Sequence, residues 1–163
     1  MLAHDFVQVR RPFAVVVGAL LAIGVHLDDE ATAAFVDARA LEDEMVRCDP
    51  ELATRLGLDD RIRCSLGEPR LGARSLAFAF SFVSFHQEWL DGDLSVEPLG
   101  DHRSRLAISA RTALPVGCLG RRSDEELIYL IAESTIRAFL HRLAAALELA
   151  PGAGVTPCVD VSP

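Results

Sequence analysis

The chain has 163 residues, which is enough for one domain with a hydrophobic core and short for two. Hydrophobic residues make up 50% of the sequence and charged residues 25%, a balance that excludes an intrinsically disordered chain. The formal net charge of −8 disfavours nucleic acids and anionic membrane surfaces as partners, and the absence of lysine excludes Schiff-base and phosphate-loop lysine chemistry.

The first apolar stretch runs from residue 12 to residue 25 without a charge. Its 14 residues fall short of the roughly 18–20 that a membrane-spanning helix needs. Phe6, Val7 and Val9 suit a strand, and Pro12 suits the first turn of a helix. The sequence therefore predicts a strand and then a helix of a folded domain, with no membrane span.

An export signal is the alternative interpretation of this stretch. Arg10 and Arg11 before an apolar run loosely resemble a twin-arginine signal. Asp5 precedes the arginines, however, and no small-x-small cleavage site follows Gly24 directly. These two departures favour the folded domain.

Residues 27–58 form an acidic, amphipathic segment in which apolar residues such as Phe35 and Val36 recur at helical spacing. Pro50 and Gly57 interrupt the pattern, which predicts two helical segments, the second one short. A helix of this kind most often covers a core face, and it can also gate a cavity.

After this segment the hydrophobic period changes to two, which is typical of strands. The pattern predicts a strand over residues 61–66, a break at Gly67 and Pro69, and a longer strand over residues 73–85. One face of the longer strand carries three aromatic side chains, those of Phe78, Phe80 and Phe82.

The strands that follow are predicted to form an antiparallel meander. Asp91 and Gly92 are typical turn residues and predict a turn. Residues 94–99 and 105–114 suit two further strands, and residues 100–102 join them as a hairpin. A parallel nucleotide-binding sheet needs crossover helices, for which these connections leave no room.

The last predicted element is a long amphipathic helix over residues 124–148. Ser123 and Glu126 form a capping-box pattern at its start. Its length of about 37 Å is enough to cross a small domain. We expect a single domain over residues 1–150 and a disordered tail over residues 151–163.

The cysteines and histidines give no signature of a metal site or of a nucleophilic enzyme. Cys48, Cys64, Cys118 and Cys158 are widely spaced and form no CxxC pair. The sequence also contains no HExxH and no GxSxG motif. We therefore predict reduced thiols, a cytoplasmic location, and neither a metal nor another cofactor.

Residues 94–148 resemble the C-terminal part of bacterial members of the START-like, SRPBCC or birch-pollen-allergen superfamily, which includes polyketide cyclase-like proteins. The shared features are the EPLG at residues 97–100, a strand that ends at Pro115, a loop with Gly117 and Gly120, and the long final helix. These structural motifs cover about a third of the chain.

The resemblance implies an α+β helix-grip fold, in which a curved antiparallel sheet wraps around the long C-terminal helix. A cavity between sheet and helix would hold an apolar molecule. Residues 4–10 would supply the first strand. Extra helices would lie between the first and second strands, because residues 27–58 exceed the short helical connection of the family.

The strand and helix periods together predict one apolar surface between the sheet and the last helix. Its polar groups for orienting a ligand are Thr135, Thr112 and Ser84, although such hydroxyls more often bond to the backbone of a core. The predicted ligand-binding residues are Phe78, Phe80, Phe82, Leu106, Ile108, Ala110, Ile131, Thr135 and Phe139.

The favoured function is binding or sequestration of a small hydrophobic molecule, lipid-like or polyketide-like. A polyketide cyclase or aromatase is the first alternative. His86 and Glu88 are its candidate acid–base pair, but polar residues at a strand end are usually solvated, so no catalytic residue is predicted. A filled-core domain with a protein-interaction role is the second alternative, and a homodimer is left open.

Overall fold

A computed structural model places the strands and the long helices of the chain. It describes residues 2–23, 27, 29–31, 33–34, 63–72, 75–84, 87–112 and 122–150. The strands are β1 (Leu2–Val9), β2 (Arg63–Leu71), β3 (Leu76–Ser84), β4 (Gln87–Pro98) and β5 (Ser104–Thr112), and the helices are α1 (Phe13–Ile23) and α2 (Arg122–Leu149).

The strands form an antiparallel sheet in the order β1-β5-β4-β3-β2. β2 to β5 follow one another as the predicted meander, and β1 pairs with β5. Successive side chains of a strand point to opposite faces. The face that carries Phe80 and Ile108 is termed the inner face, and the face that carries Ser81 and Asp91 is termed the outer face.

The inner face packs against the helices. α2 lies over β1 and β5, and α1 contacts β4 and α2. The buried stripe of α2 recurs at helical spacing and consists of Ile131, Ala132, Thr135, Ile136, Phe139, Leu140, Leu143, Ala144 and Leu147. The predicted α+β helix-grip arrangement, a curved antiparallel sheet around a long C-terminal helix, is confirmed.

α1 begins directly after Pro12, as predicted. The carbonyl of Pro12 accepts hydrogen bonds from the N–H groups of Val15 and Val16 at 3.0 and 3.1 Å. Proline suits this position because the first N–H groups of a helix have no intrahelical partner. Among the helices that the structure describes, none is long and apolar enough to cross a membrane.

Part of the predicted helical insertion between the first two strands is confirmed. Helical residues occur between positions 27 and 34, and Leu27, Ala31 and Ala34 are buried at helical spacing. Residues 35–58, which make up the rest of the predicted insertion, lie outside the described residues.

α2 begins two residues before the predicted start at 124 and ends one residue after the predicted end at 148. The side chain of Ser123 lies outside the described set, so the capping box stays a prediction. The glycine loop of the resemblance, within residues 113–121, and the predicted tail, residues 151–163, also lie outside it.

Gly67 and Pro69 do not end β2, so the break predicted there is wrong. Leu66 pairs with Phe80 and Pro69 pairs with Phe78, which leaves one extra residue on β2 and makes a β-bulge. An edge strand accommodates proline because one row of its N–H groups has no partner in the ladder.

Asp91 and Gly92 lie inside β4, so the turn predicted there is also wrong. Gly92 pairs with Phe80 on one side and Ala110 on the other. A Cβ atom at this position would lie 2.0 Å from the carbonyl oxygen of Ser109. Glycine is needed because the β5 backbone passes too close for a side chain, as happens where curved sheets bend.

The hairpin predicted at residues 100–102 is confirmed. The N–H group of Leu99 donates to the carbonyl of Arg103 at 2.8 Å and closes the loop. Gly100 has a φ of 109°, a backbone conformation that favours glycine. β5 follows from Ser104, one residue before the predicted start.

The turn between β1 and α1 is tied to the C-terminal end of α2. The N–H group of Arg10 donates to Glu148 Oε1 at 2.9 Å. The Arg11 guanidinium donates to the backbone carbonyls of Glu148 and Ala150 at 2.6 and 3.3 Å. The buried Ser104 hydroxyl donates to the carbonyl of Arg11 at 2.9 Å. The two arginines therefore hold the end of α2, where a cation also suits the helix dipole.

We expect Arg11→Ala to lower the free energy of unfolding by about 1–2 kcal/mol, because two carbonyl groups at the end of α2 lose their donor. Urea unfolding followed by circular dichroism measures the change. Arg103→Ala removes an exposed arginine from the β4–β5 hairpin and should cost less than about 0.5 kcal/mol. Equal effects of the two substitutions would contradict the role assigned to Arg11.

We expect Gly92→Ala to lower the free energy of unfolding by about 2–3 kcal/mol, because the new methyl group displaces the β5 backbone. Gly18→Ala in α1 is the control. A Cβ atom at Gly18 meets nothing within 4 Å, so this substitution should stabilise the helix by about 0.5–1 kcal/mol. If Gly92→Ala left the free energy of unfolding unchanged, β5 would not approach β4 closely enough to exclude a side chain.

Candidate ligand-binding site

All nine side chains predicted to line a ligand site are buried on the inner face or on the stripe of α2 that covers it. Each has an exposed fraction of 3% or less. The structure thus brings three elements together, because β3, β5 and α2 each contribute three of these residues. Their role in ligand binding stays a prediction.

Aromatic contacts join β3 to α2. The rings of Phe80 and Phe82 meet edge to face, with centroids 5.4 Å apart. The ring of Phe82 meets that of Phe139 in the same way at 5.2 Å. Edge-to-face geometry is favourable for aromatic rings, so these three side chains fix the distance between sheet and helix at this point.

A row of small residues crosses the inner face between rows of larger ones. The row starts beside Phe80 of β3 and consists of Gly92 on β4, Ala110 on β5 and Ala3 on β1. The adjacent rows carry larger side chains, those of Phe82 and Leu90 on one side and of Phe78, Leu94 and Ile108 on the other. The row therefore supplies less side-chain volume between sheet and α2 than its neighbours do.

Thr135 is a fully buried polar residue of the α2 stripe. Its hydroxyl donates to the carbonyl of Ile131, one helical turn earlier, at 2.7 Å. The proton of the hydroxyl is thus engaged, and its oxygen keeps the capacity to accept a hydrogen bond from a ligand. Thr112 is half-buried, and the side chain of Ser84 lies outside the described set.

The predicted acid–base pair lies outside the part of the chain whose side chains are described. This applies to His86 as a whole and to the side chain of Glu88, whose backbone pairs with that of Val83 in the sheet. Among the described residues, no three His, Cys, Asp or Glu side chains are grouped so that they could hold a metal ion.

Asp5 is a charged residue on the inner side of β1. Its Oδ2 accepts a hydrogen bond from Nε of Arg137 on α2 at 3.1 Å. A cavity of about 90 Å³ lies beside this pair, with Glu133 and Ile136 also in its wall. The ion pair therefore ties β1 to α2 at the border of the apolar core.

A second concavity, which the sequence did not predict, is a groove of about 490 Å³ on the outer face. In the sequence, Asp91, Asp93, Ser95 and Glu97 alternate with apolar residues, which is the pattern of a strand with one polar face. This pattern was not recognised because residues 91–92 were interpreted as a turn. The polar side chains of the groove are those of Ser65, Arg70, Ser81, Asp91, Asp93 and Arg111.

The fold is similar to that of the Zhui aromatase/cyclase from Streptomyces sp. R1128. The TM-score is 0.53 at 11% sequence identity, and the match covers 95% of this chain and 99% of that one. At this identity the similarity shows only the fold, an α+β helix grip, and it does not bear on activity.

Two further solved structures align less closely. A conserved protein from Geobacillus kaustophilus gives a TM-score of 0.39 at 8% identity, over 90% of this chain and 97% of that one. A hypothetical protein from Helicobacter pylori gives a TM-score of 0.40 at 14% identity, over 89% of this chain and 86% of that one. No protein-family model and no curated protein matches the sequence.

Proposed function

We propose that the chain belongs to the START-like superfamily and binds a small apolar molecule between the inner face of the sheet and α2. The ligand is lipid-like or polyketide-like, and burial of its surface, at about 25 cal/mol per Å², supplies the affinity.

The row of small residues on the inner face is the observation that carries the proposal. Ala110 of β5 and Ala3 of β1 lie side by side on the two strands that α2 covers. A core built only for stability favours side chains that fill the space between two layers. Small residues in an otherwise large-residue surface support a space kept for a ligand, and the Thr135 oxygen supplies an acceptor for one polar group of that ligand.

We expect Ala110→Leu to weaken the binding of a fluorescent apolar probe, N-phenyl-1-naphthylamine, by about tenfold or more, because the added atoms occupy the space of the ligand. The free energy of unfolding should stay the same or rise, since a cavity is being filled. Fluorescence titration measures the binding, and urea unfolding measures the stability.

Ala145→Leu is the matched control, because it adds the same atoms at an exposed position of α2 and should leave both quantities unchanged. A loss of about 1–3 kcal/mol in Ala110→Leu, with no binding of the probe to the unsubstituted protein, would indicate overpacking of a filled core. That outcome would favour the filled-core domain with a protein-interaction role.

A cyclase or aromatase is the second candidate function, supported by the similarity in fold to the Streptomyces aromatase/cyclase. Cyclisation needs a base and a donor positioned at a carbonyl group. Turnover of an enolisable polyketone, monitored by mass spectrometry and lost in His86→Ala or Glu88→Ala, would favour this enzyme. Binding of the same compound without turnover would favour a carrier.

A further inference from the structure

We propose that the groove on the outer face is a second binding site, and that it takes a small, uncharged, polyhydroxylated molecule such as a sugar. The groove measures about 490 Å³, a volume within the range of small-molecule sites. It lies on the side of the sheet opposite the apolar core, so the proposal does not rest on the function proposed above.

One wall of the groove is a continuous polar row across four strands. Ser65 pairs with Ser81, Ser81 with Asp91, and Asp91 with Arg111. The two serine hydroxyls are hydrogen bonded to each other at 2.8 Å. With strands about 4.8 Å apart, the row offers two hydroxyls, a carboxylate and a guanidinium along about 15 Å.

The opposite wall is an ion pair that spans a strand. The guanidinium of Arg70 on β2 reaches across β3 and binds the carboxylate of Asp93 on β4. The side-chain positions between the two walls are small, because Gly67 and Ala79 lie there. Successive residues on one face of a strand are about 7 Å apart, so the floor is about as wide as one sugar ring.

The charged groups of both walls keep hydrogen-bonding capacity for a ligand. Arg111 is 76% exposed and its guanidinium lies 3.9 Å from the Asp91 carboxylate. Arg70 and Asp93 are 60% and 55% exposed. Ion pairs this exposed contribute little to stability, and each guanidinium has more donors than one carboxylate contact uses.

The mixture of donors and acceptors favours hydroxyl groups as the ligand's contacts. A hydroxyl donates one hydrogen bond and accepts two, so adjacent hydroxyls can donate to Asp91 and accept from Arg111. The two carboxylates and the two guanidinium groups of the groove balance in charge, so the groove holds no excess positive charge for an anion, and the whole chain has a net charge of −8. An apolar ligand would desolvate the four charged side chains without replacing their hydrogen bonds.

Titration with D-glucose, D-galactose and myo-inositol, followed by amide chemical shifts of ¹⁵N-labelled protein, tests the proposal. We expect at least one of these compounds to shift amides of Ser81, Asp91 and Arg111 in a saturable manner. Inorganic phosphate and glycine betaine are the comparison probes. No saturable shift with any of the three polyols would overturn the proposal, and saturable binding of phosphate or betaine alone would overturn the ligand class.

Asp91→Asn and Glu97→Gln form a matched pair of variants. Both carboxylates lie on the outer side of β4 and face an arginine of β5, at 3.9 Å for Asp91 and 3.8 Å for Glu97, but Asp91 alone of the two lines the groove. We expect Asp91→Asn to weaken polyol binding about tenfold or more and Glu97→Gln to leave it unchanged. Equal effects of the two variants would overturn the assignment.

Ala79→Leu tests the site by shape alone, because it adds volume at an exposed floor position and keeps every charge. We expect it to abolish saturable polyol binding, and full binding would overturn the proposal. Ala110→Leu, on the inner face, should leave polyol binding unchanged, so a failure of one site is distinguishable from a failure of the other.

Discussion

The close approach of β5 to Gly92 of β4 is the constraint on which both faces of the sheet depend. With no side chain at this position β4 can approach β5 closely, as strands do where a sheet bends at a glycine. On the inner face the same glycine lets the β5 backbone come close to β4 beside Phe80. On the outer face it lies within the polar groove. One backbone contact thus lies between the apolar inner face and the outer groove.

α2 is held over the sheet by polar contacts at its border as well as by its apolar stripe. The Arg11 guanidinium binds carbonyls at its C-terminal end, and Arg137 binds Asp5 of β1 further along the helix. Both sets of contacts involve β1 or the turn that follows it. These bonds fix the helix at one edge of the sheet, and the contact of Phe82 with Phe139 fixes its distance from β3.

The elements that the sequence predicted well are those with a long hydrophobic period. The alternation of Phe78, Phe80 and Phe82 and the stripe of α2 repeat often enough to specify a face, and burial then follows. Gly67 and Gly92 were wrongly interpreted as a strand break and a turn. Both glycines lie inside strands. Gly67 belongs to a β-bulge and Gly92 to a close backbone contact, and both features depend on the partner strand. The outer groove was not predicted for the same reason, because one of its walls crosses four strands and β4 was not recognised as continuous at Gly92.

The two faces of β3 differ in chemistry because its side chains alternate between them. Phe80 and Phe82 point to the apolar core, whereas Ala79 and Ser81 point to the outer groove. A side-chain substitution therefore acts on one face, and a backbone change at the bend acts on both. Phe80 and Gly92 belong to the inner face and also line the outer groove, so coupling between ligands on the two faces would pass through these two residues.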